Sequence, residues 1–143
     1  MKRFLKAVCV ILVVSILLAV PVSAEGEAST YASSFFIEYS TYLYRVSGYR
    51  FDIWFDVAAR GFMDDLGVSE IRLQRSADGE NWSTVITYTP AGHPQMICED
   101  TGMHMDCVYY MGTSGYEYRA FVTFYAKNSS GYAKRYVYAY PIN

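Results

Sequence analysis

The sequence predicts an all-β domain, an antiparallel sandwich of about seven strands. Three observations carry this. Runs of alternating apolar and polar residues recur, separated by turn signals roughly every ten residues. The 143 residues include 15 Tyr, 8 Phe and 2 Trp, side chains that favour pleated, half-buried surfaces. Past the N-terminal segment no stretch shows the period of an amphipathic helix.

The N-terminal segment reads as a targeting signal. Lys2, Arg3 and Lys6 precede an apolar run from Ala7 to Val20, and Pro21-Val22-Ser23-Ala24 supplies small residues for cleavage after Ala24. The run is about 14 residues, short of the roughly 20 that a spanning helix needs. Residues 1–24 are therefore expected to be a signal peptide, 25–34 a flexible tail, and 35–143 the β-domain. The mature protein is expected to be secreted, with no membrane span. Cys9 is read as apolar filler of the signal.

The 119 remaining residues are enough to bury roughly two-thirds of the unfolded surface. Losing Lys2, Arg3 and Lys6 from the 12 basic residues leaves nine against 14 acidic. No basic patch remains to neutralise a phosphate backbone, so nucleic acid is not an expected partner.

Phe35 to Val46 is aromatic and β-branched and predicts the first strand. In Tyr49 to Ala58, Phe51, Ile53, Phe55 and Val57 form one face; Arg50, Asp52, Trp54 and Asp56 form the other. Arg60 to Gly67 breaks this pattern and predicts a loop or one helical turn. Val68 to Ser76 alternates again, and Asp78-Gly79 between it and Trp82 to Tyr88 is a hairpin signal. Pro90 to Asp106 is the least regular stretch, and Cys107 to Met111 follows as a short strand. Tyr116 to Lys127 predicts a long central strand, with Tyr116, Tyr118, Ala120, Val122, Phe124 and Ala126 on its apolar face. Tyr132 to Tyr140 forms the last strand, ended by Pro141.

Ile71 to Val85 (IRLQRSADGENWSTV) and Tyr116-Glu117-Tyr118-Arg119-Ala120 followed by Ala126-Lys127-Asn128-Ser129-Ser130-Gly131 resemble the C–C′ and F–G hairpins of fibronectin type III domains. The resemblance implies an Ig-like sandwich in which Tyr116 is the tyrosine-corner residue, its hydroxyl bonding backbone near the preceding turn. Over nearly its full length the chain also resembles a family of small secreted bacterial proteins, a domain of unknown function.

Candidate chemistry is sparse. Cys98 and Cys107 are the only cysteines left after cleavage, and an even count in an exported chain reads as a disulfide. It would close a loop of about nine residues and contribute roughly 2–3 kcal/mol. A competing reading is a soft-metal site for copper or zinc: His93, Met96, Cys98, Met103, His104, Met105 and Cys107 crowd one segment and offer thioether, imidazole and thiolate donors. Aromatic side chains suggest a third use. With Phe121 and Tyr125 outward and Tyr136 and Tyr138 beside them, the outer sheet carries a patch for a protein or glycan partner; a carbohydrate-binding surface would be built on Phe121, Tyr125, Trp54 or Trp82. The alternative is that the N-terminal segment covers that face. No nucleophile or paired-carboxylate pattern appears, so an enzyme is not expected and no cofactor is implied. The expected role is a non-catalytic extracellular binding module.

Overall fold

The computed structural model describes residues 34–142. The expected signal peptide, and the tail apart from Ser34, lie outside those residues. The described chain is all-β. Its strands are β1 (Phe36–Ser47), β2 (Arg50–Ser76), β3 (Ser83–Tyr88), β4 (Ile97–Met111), β5 (Glu117–Asn128), β6 (Gly131–Ala139) and β7 (Pro141–Ile142). A single 3-10 turn, Pro94–Met96, precedes β4. Among the described residues no helix is long and apolar enough to cross a membrane.

The fold is organised by β2, whose 27 residues include the stretch 60–67 expected to be a loop or helical turn. The strand bends there instead of breaking. Gly61 and Gly67 take φ values of +103° and +151°, and pairing to β4 skips between Ala58 and Met63. Such bulges kink a strand while keeping it in the sheet. Gly67 is also a point of close approach. A Cβ there would run into the carbonyl oxygen of Met96, so only glycine fits.

The bend lets one strand serve two halves of the molecule. The first half of β2 has β1 on one edge and β4 on the other. The second half has β5 in place of β1 and β3 beyond β4. The inward rows Phe51, Ile53, Phe55 and Val57 from one half, and Ile71, Leu73, Tyr118, Val122 and Phe124 from the other, form one buried cluster. Phe51 meets Tyr118 with ring centroids 4.6 Å apart. Burying each such side chain contributes about 1.5–3 kcal/mol, so this double row is the main source of stability.

The seven strands form one mixed sheet, not two antiparallel ones. The parallel exception is β7, which pairs with β1 at Leu43–Pro141 and Tyr44–Ile142. Pro141, expected to end the last strand, begins β7 at the sheet's margin, where its missing N–H is tolerated. Only Tyr140 separates β6 from β7, so the path β1–β2–β5–β6–β7 returns to β1.

The irregular stretch Pro90 to Asp106 resolves into the 3-10 turn and most of β4. Among the described residues no strand pairs with the far edge of β4, but side chains close it. Thr101 Oγ1 accepts from Met103 N–H and donates to the Met103 carbonyl. Asp106 Oδ1 accepts from Cys107 N–H, and the Tyr88 hydroxyl donates to the Tyr109 carbonyl at 2.8 Å. Capped edge groups of this kind discourage pairing with another chain.

The Asp78-Gly79 hairpin forms between β2 and β3. Asp78 Oδ1 accepts from the N–H groups of Glu80 and Asn81 and from the Ser76 hydroxyl, and Asn81 Nδ2 donates to Oδ2. Gly79 takes the positive φ of 76° that the turn needs.

At the turn between β4 and β5 the expected tyrosine bond belongs to a different residue. Tyr116 is exposed, with the Arg75 guanidinium 4.4 Å over its ring. Tyr118, two residues on, is buried, and its hydroxyl accepts from Thr113 N–H at 2.9 Å. Strand alternation explains the shift. β5 begins at Glu117, so Tyr116 lies outside the pleat and Tyr118 is the first inward residue.

Candidate functional site

The outer face of β5 and β6 carries the aromatic cluster. Cross-strand register places Phe121 opposite Tyr138, Thr123 opposite Tyr136, and Tyr125 opposite Lys134. Residues directly opposite share a face and lie within side-chain reach. Phe121 stacks on Tyr136 with an interplanar angle of 12° and a centroid separation of 5.7 Å. It also meets Tyr138 at 4.8 Å. Tyr136 and Tyr138 remain 61% and 48% exposed. Tyr125 stands apart and pairs with Tyr132 at 6.1 Å. All four sequence-predicted aromatics thus share one face, and three make direct contact. The N-terminal segment that the covering alternative would lay across this face lies outside the described residues.

Sequence reasoning missed the cations. The Arg72 guanidinium lies 4.5 Å over the Phe121 ring. Arg119 sits between Trp82 and Tyr138, at 4.3 and 4.7 Å from their centroids. The result is a continuous ladder, Trp82–Arg119–Tyr138–Phe121–Arg72, with Tyr136 stacked against it. Each guanidinium–ring contact contributes about 0.5–1 kcal/mol at exposed sites, and together they hold the side chains in fixed orientations. Arg119 Nε donates to Gln74 Oε1 at 2.8 Å. Arg72 Nε lies 3.0 Å from Glu70 Oε1, but its N–H is not aligned on that oxygen, so the contact is an ion pair without a hydrogen bond. The signal for this ladder was available in the register: Arg119 shares an outward face with Phe121, and Arg72 sits opposite Phe121 on β2.

Cys98 and Cys107 are free, which corrects the expected disulfide between them. Nine strand residues at about 3.3 Å each separate them by roughly 30 Å of chain. Cys98 pairs with buried Leu66 and Cys107 with exposed Trp54, so they also occupy opposite faces. Burial first, then the carboxylates of Asp106 and Asp52, pushes the Cys107 thiol above its ordinary pKa.

The soft-donor set is dispersed in the same way. Met96 is fully buried in the core. His93 packs edge-on against Tyr88 at 5.0 Å. His104 faces inward beside Phe55, its Nε2 2.8 Å from the Gln95 carbonyl, while Met103 and Met105 point outward. Among the described residues no three His, Cys, Asp or Glu side chains converge as a metal site. The segment read as one ligand-bearing loop is a strand, and a strand sends alternate residues to opposite faces.

Comparison with known proteins finds no matching family model, no matching curated protein and no matching solved structure.

Proposed function

We propose that this chain is an exported, non-catalytic binding module whose working surface is the outer face of β5 and β6, and that its ligand is a saccharide. The observation that carries the reading is the ladder of Trp82, Arg119, Tyr138, Phe121 and Arg72 with Tyr136 stacked on it. Exposed rings fixed by neighbouring guanidiniums offer apolar faces to the C–H side of a sugar ring, while the guanidinium N–H groups meet its hydroxyls. Little side-chain freedom is left to lose on binding. An apolar patch of this kind on a small domain is a recognised mark of an interaction surface.

The Ig-like, fibronectin type III-like kinship belongs to the same proposal. What supports it is strand order: β3–β2–β5–β6 on one side and β1–β2–β4 on the other correspond to the C′CFG and ABE sets, with B and C fused into one long strand. The Tyr118 hydroxyl bond to Thr113 supplies the corner expected before the F strand.

The test is an oligosaccharide array probed with the full chain and with the double variant Tyr136→Ala/Tyr138→Ala. Binding by the parent that the variant loses, with its melting temperature unchanged, supports the reading. Array binding that survives the double substitution moves the site elsewhere.

A further inference from the structure

The ladder ends at a cavity. At Ala120–Ala139 the last rung between β5 and β6 closes. The chain then leaves β5, passes Tyr140, and joins β1 as β7. Residues Glu117 to Arg119 of β5 therefore have β2 on one edge and, among the described residues, no strand on the other. The fork left by this crossover is a cavity of about 390 Å³, lined among others by Arg45, Arg119, Trp82, Tyr116, Tyr140 and Glu117.

Its chemistry is specific. Arg50, Arg72 and Lys127 each pair with a carboxylate. Arg45 and Arg119, which line the fork, and Arg75 at its rim have no carboxylate partner among the described residues; each is held over a ring instead, Phe51, Trp82 and Tyr116 respectively. A guanidinium stacked on a ring can still donate in its plane; on Arg119, whose Nε–H goes to Gln74, the Nη groups remain to meet a carboxylate. Glu117 is the one carboxylate lining the cavity, and Asp78 nearby is fully engaged by its own hairpin. Backbone groups on the unpaired edge of β5 add donors and acceptors at fixed positions. Trp82 is oriented by its indole N–H, which donates to the Gly79 carbonyl at 3.2 Å.

Rings for a sugar face, uncompensated guanidiniums for an anion and open backbone groups for hydroxyls meet in one concave place. The geometry points to this fork as the subsite for an acidic sugar residue, a uronic acid whose carboxylate is held by Arg45 and Arg119. This deepens the saccharide reading above and rests on it. The ladder takes the neutral run of the chain, and the fork fixes its charged end.

The experiment titrates the full chain with galacturonate, galactose 6-sulfate and galactose, following the Trp82 indole N–H resonance. Galacturonate is expected to shift it with an affinity that falls as sodium chloride is raised; galactose is expected to leave it in place. Arg45→Gln and Arg119→Gln are each expected to weaken galacturonate binding by about tenfold or more. The salt dependence is read on the parent protein, so a variant that misfolds does not decide the matter. Equal binding of galactose and galacturonate, or no shift with either, overturns the assignment. A stronger response to the sulfate than to galacturonate overturns the carboxylate and leaves a sulfated sugar as the ligand. Array binding that needs Tyr136 and Tyr138 while galacturonate gives no shift removes the fork and leaves the outer-face reading standing. A galacturonate response unaffected by Tyr136→Ala/Tyr138→Ala, without any array binding that needs those residues, removes the outer-face reading and keeps the fork.

Discussion

The two outer faces of the molecule are built from the same residue types and have opposite character. On the face made by β5, β6 and the second half of β2, rings alternate with arginines and lock into a ladder. On the face made by β1, β4 and the first half of β2, exposed Tyr42, Tyr44, Trp54 and Tyr109 sit among Asp52, Asp56, Met103, Met105 and Cys107. There the rings stack on one another, as Tyr42 does on Tyr44 at 6.0 Å, and the one guanidinium over a ring, Arg50 on Tyr109, is already paired with Asp52. Aromatic content alone therefore does not define a binding face. What differs is that the ladder holds one cation without a carboxylate, Arg119 between Trp82 and Tyr138, whereas Arg50 on the other face is paired.

Both faces exist because β2 bends, so the harshest way to break the comparison is to remove the bend. Gly67→Ala places a methyl group against the Met96 carbonyl at a backbone angle that favours glycine. Strain at such positions costs about 1–3 kcal/mol each, and overpacking adds a similar amount. Urea unfolding should show a loss of roughly 3 kcal/mol or more, or no folded protein at all. A stability within 1 kcal/mol of the parent, to order of magnitude, would mean that the bend tolerates a side chain and does not depend on glycine.

The Tyr118 corner comes next. Tyr118→Phe keeps the packing against Phe51 and removes only the hydroxyl that Thr113 N–H donates to. The expected loss is about 0.5–1.5 kcal/mol, the net worth of one hydrogen bond, since Thr113 is exposed. Tyr116→Phe, two residues away, should leave stability nearly unchanged. Equal effects from the two would return the corner to Tyr116.

These two sites also show how far the sequence could be read. The period-2 pattern of Phe51 to Val57 and Tyr118 to Ala126 places the core rows correctly, because alternation is a local property. The bend at Gly61–Gly67 was misread as a break, because a bulge and a loop share glycines and lost alternation and differ only in whether neighbouring strands keep pairing. The disulfide failed for the same reason. Cys98 and Cys107 are close in sequence, and only the decision that the segment between them is extended separates them. At the candidate site the aromatic members were legible from alternation. Arg72 and Arg119 were not, nor was the choice of Trp82 over Trp54, because their contacts depend on the register between β2, β3 and β5.

A smaller effect concerns the hairpin beside the fork. Hydrogen bonds from Asn81, Ser76 and Glu80 hold the Asp78 carboxyl well below the usual carboxylate range. A depressed pKa means that the folded hairpin binds the proton less readily than the unfolded chain does. The contribution is complete above the unfolded carboxylate value of about 4 and is lost as the pH falls below it. Amide exchange at Glu80 and Asn81 should therefore quicken in acid beyond the trend of a neighbouring strand, and Asp78→Asn should flatten that response. Exchange that follows the strand at every pH would detach Asp78 from the turn's stability.

The least disruptive probe tests the carboxylate-rich face directly. Cys107 sits on β4 opposite Trp54 of β2, and its thiol is held up first by burial and then by the charges of Asp106 and Asp52. A raised pKa leaves less thiolate at neutral pH, and the thiolate is the nucleophile. In a Cys98→Ser background, iodoacetamide should modify Cys107 more slowly at pH 7.4 than it modifies a free cysteine. Asp106→Asn keeps an oxygen that can accept from Cys107 N–H, so the strand edge stays capped, but it removes the nearest charge. The alkylation profile should move to lower pH and stop short of the free-cysteine curve, because burial, the larger cause, is untouched. A profile that moves in neither Asp106→Asn nor Asp52→Asn would assign the shift to burial. The difference between the two faces would then rest on their cations alone, with the carboxylates acting only as partners for Arg50 and as caps for β4.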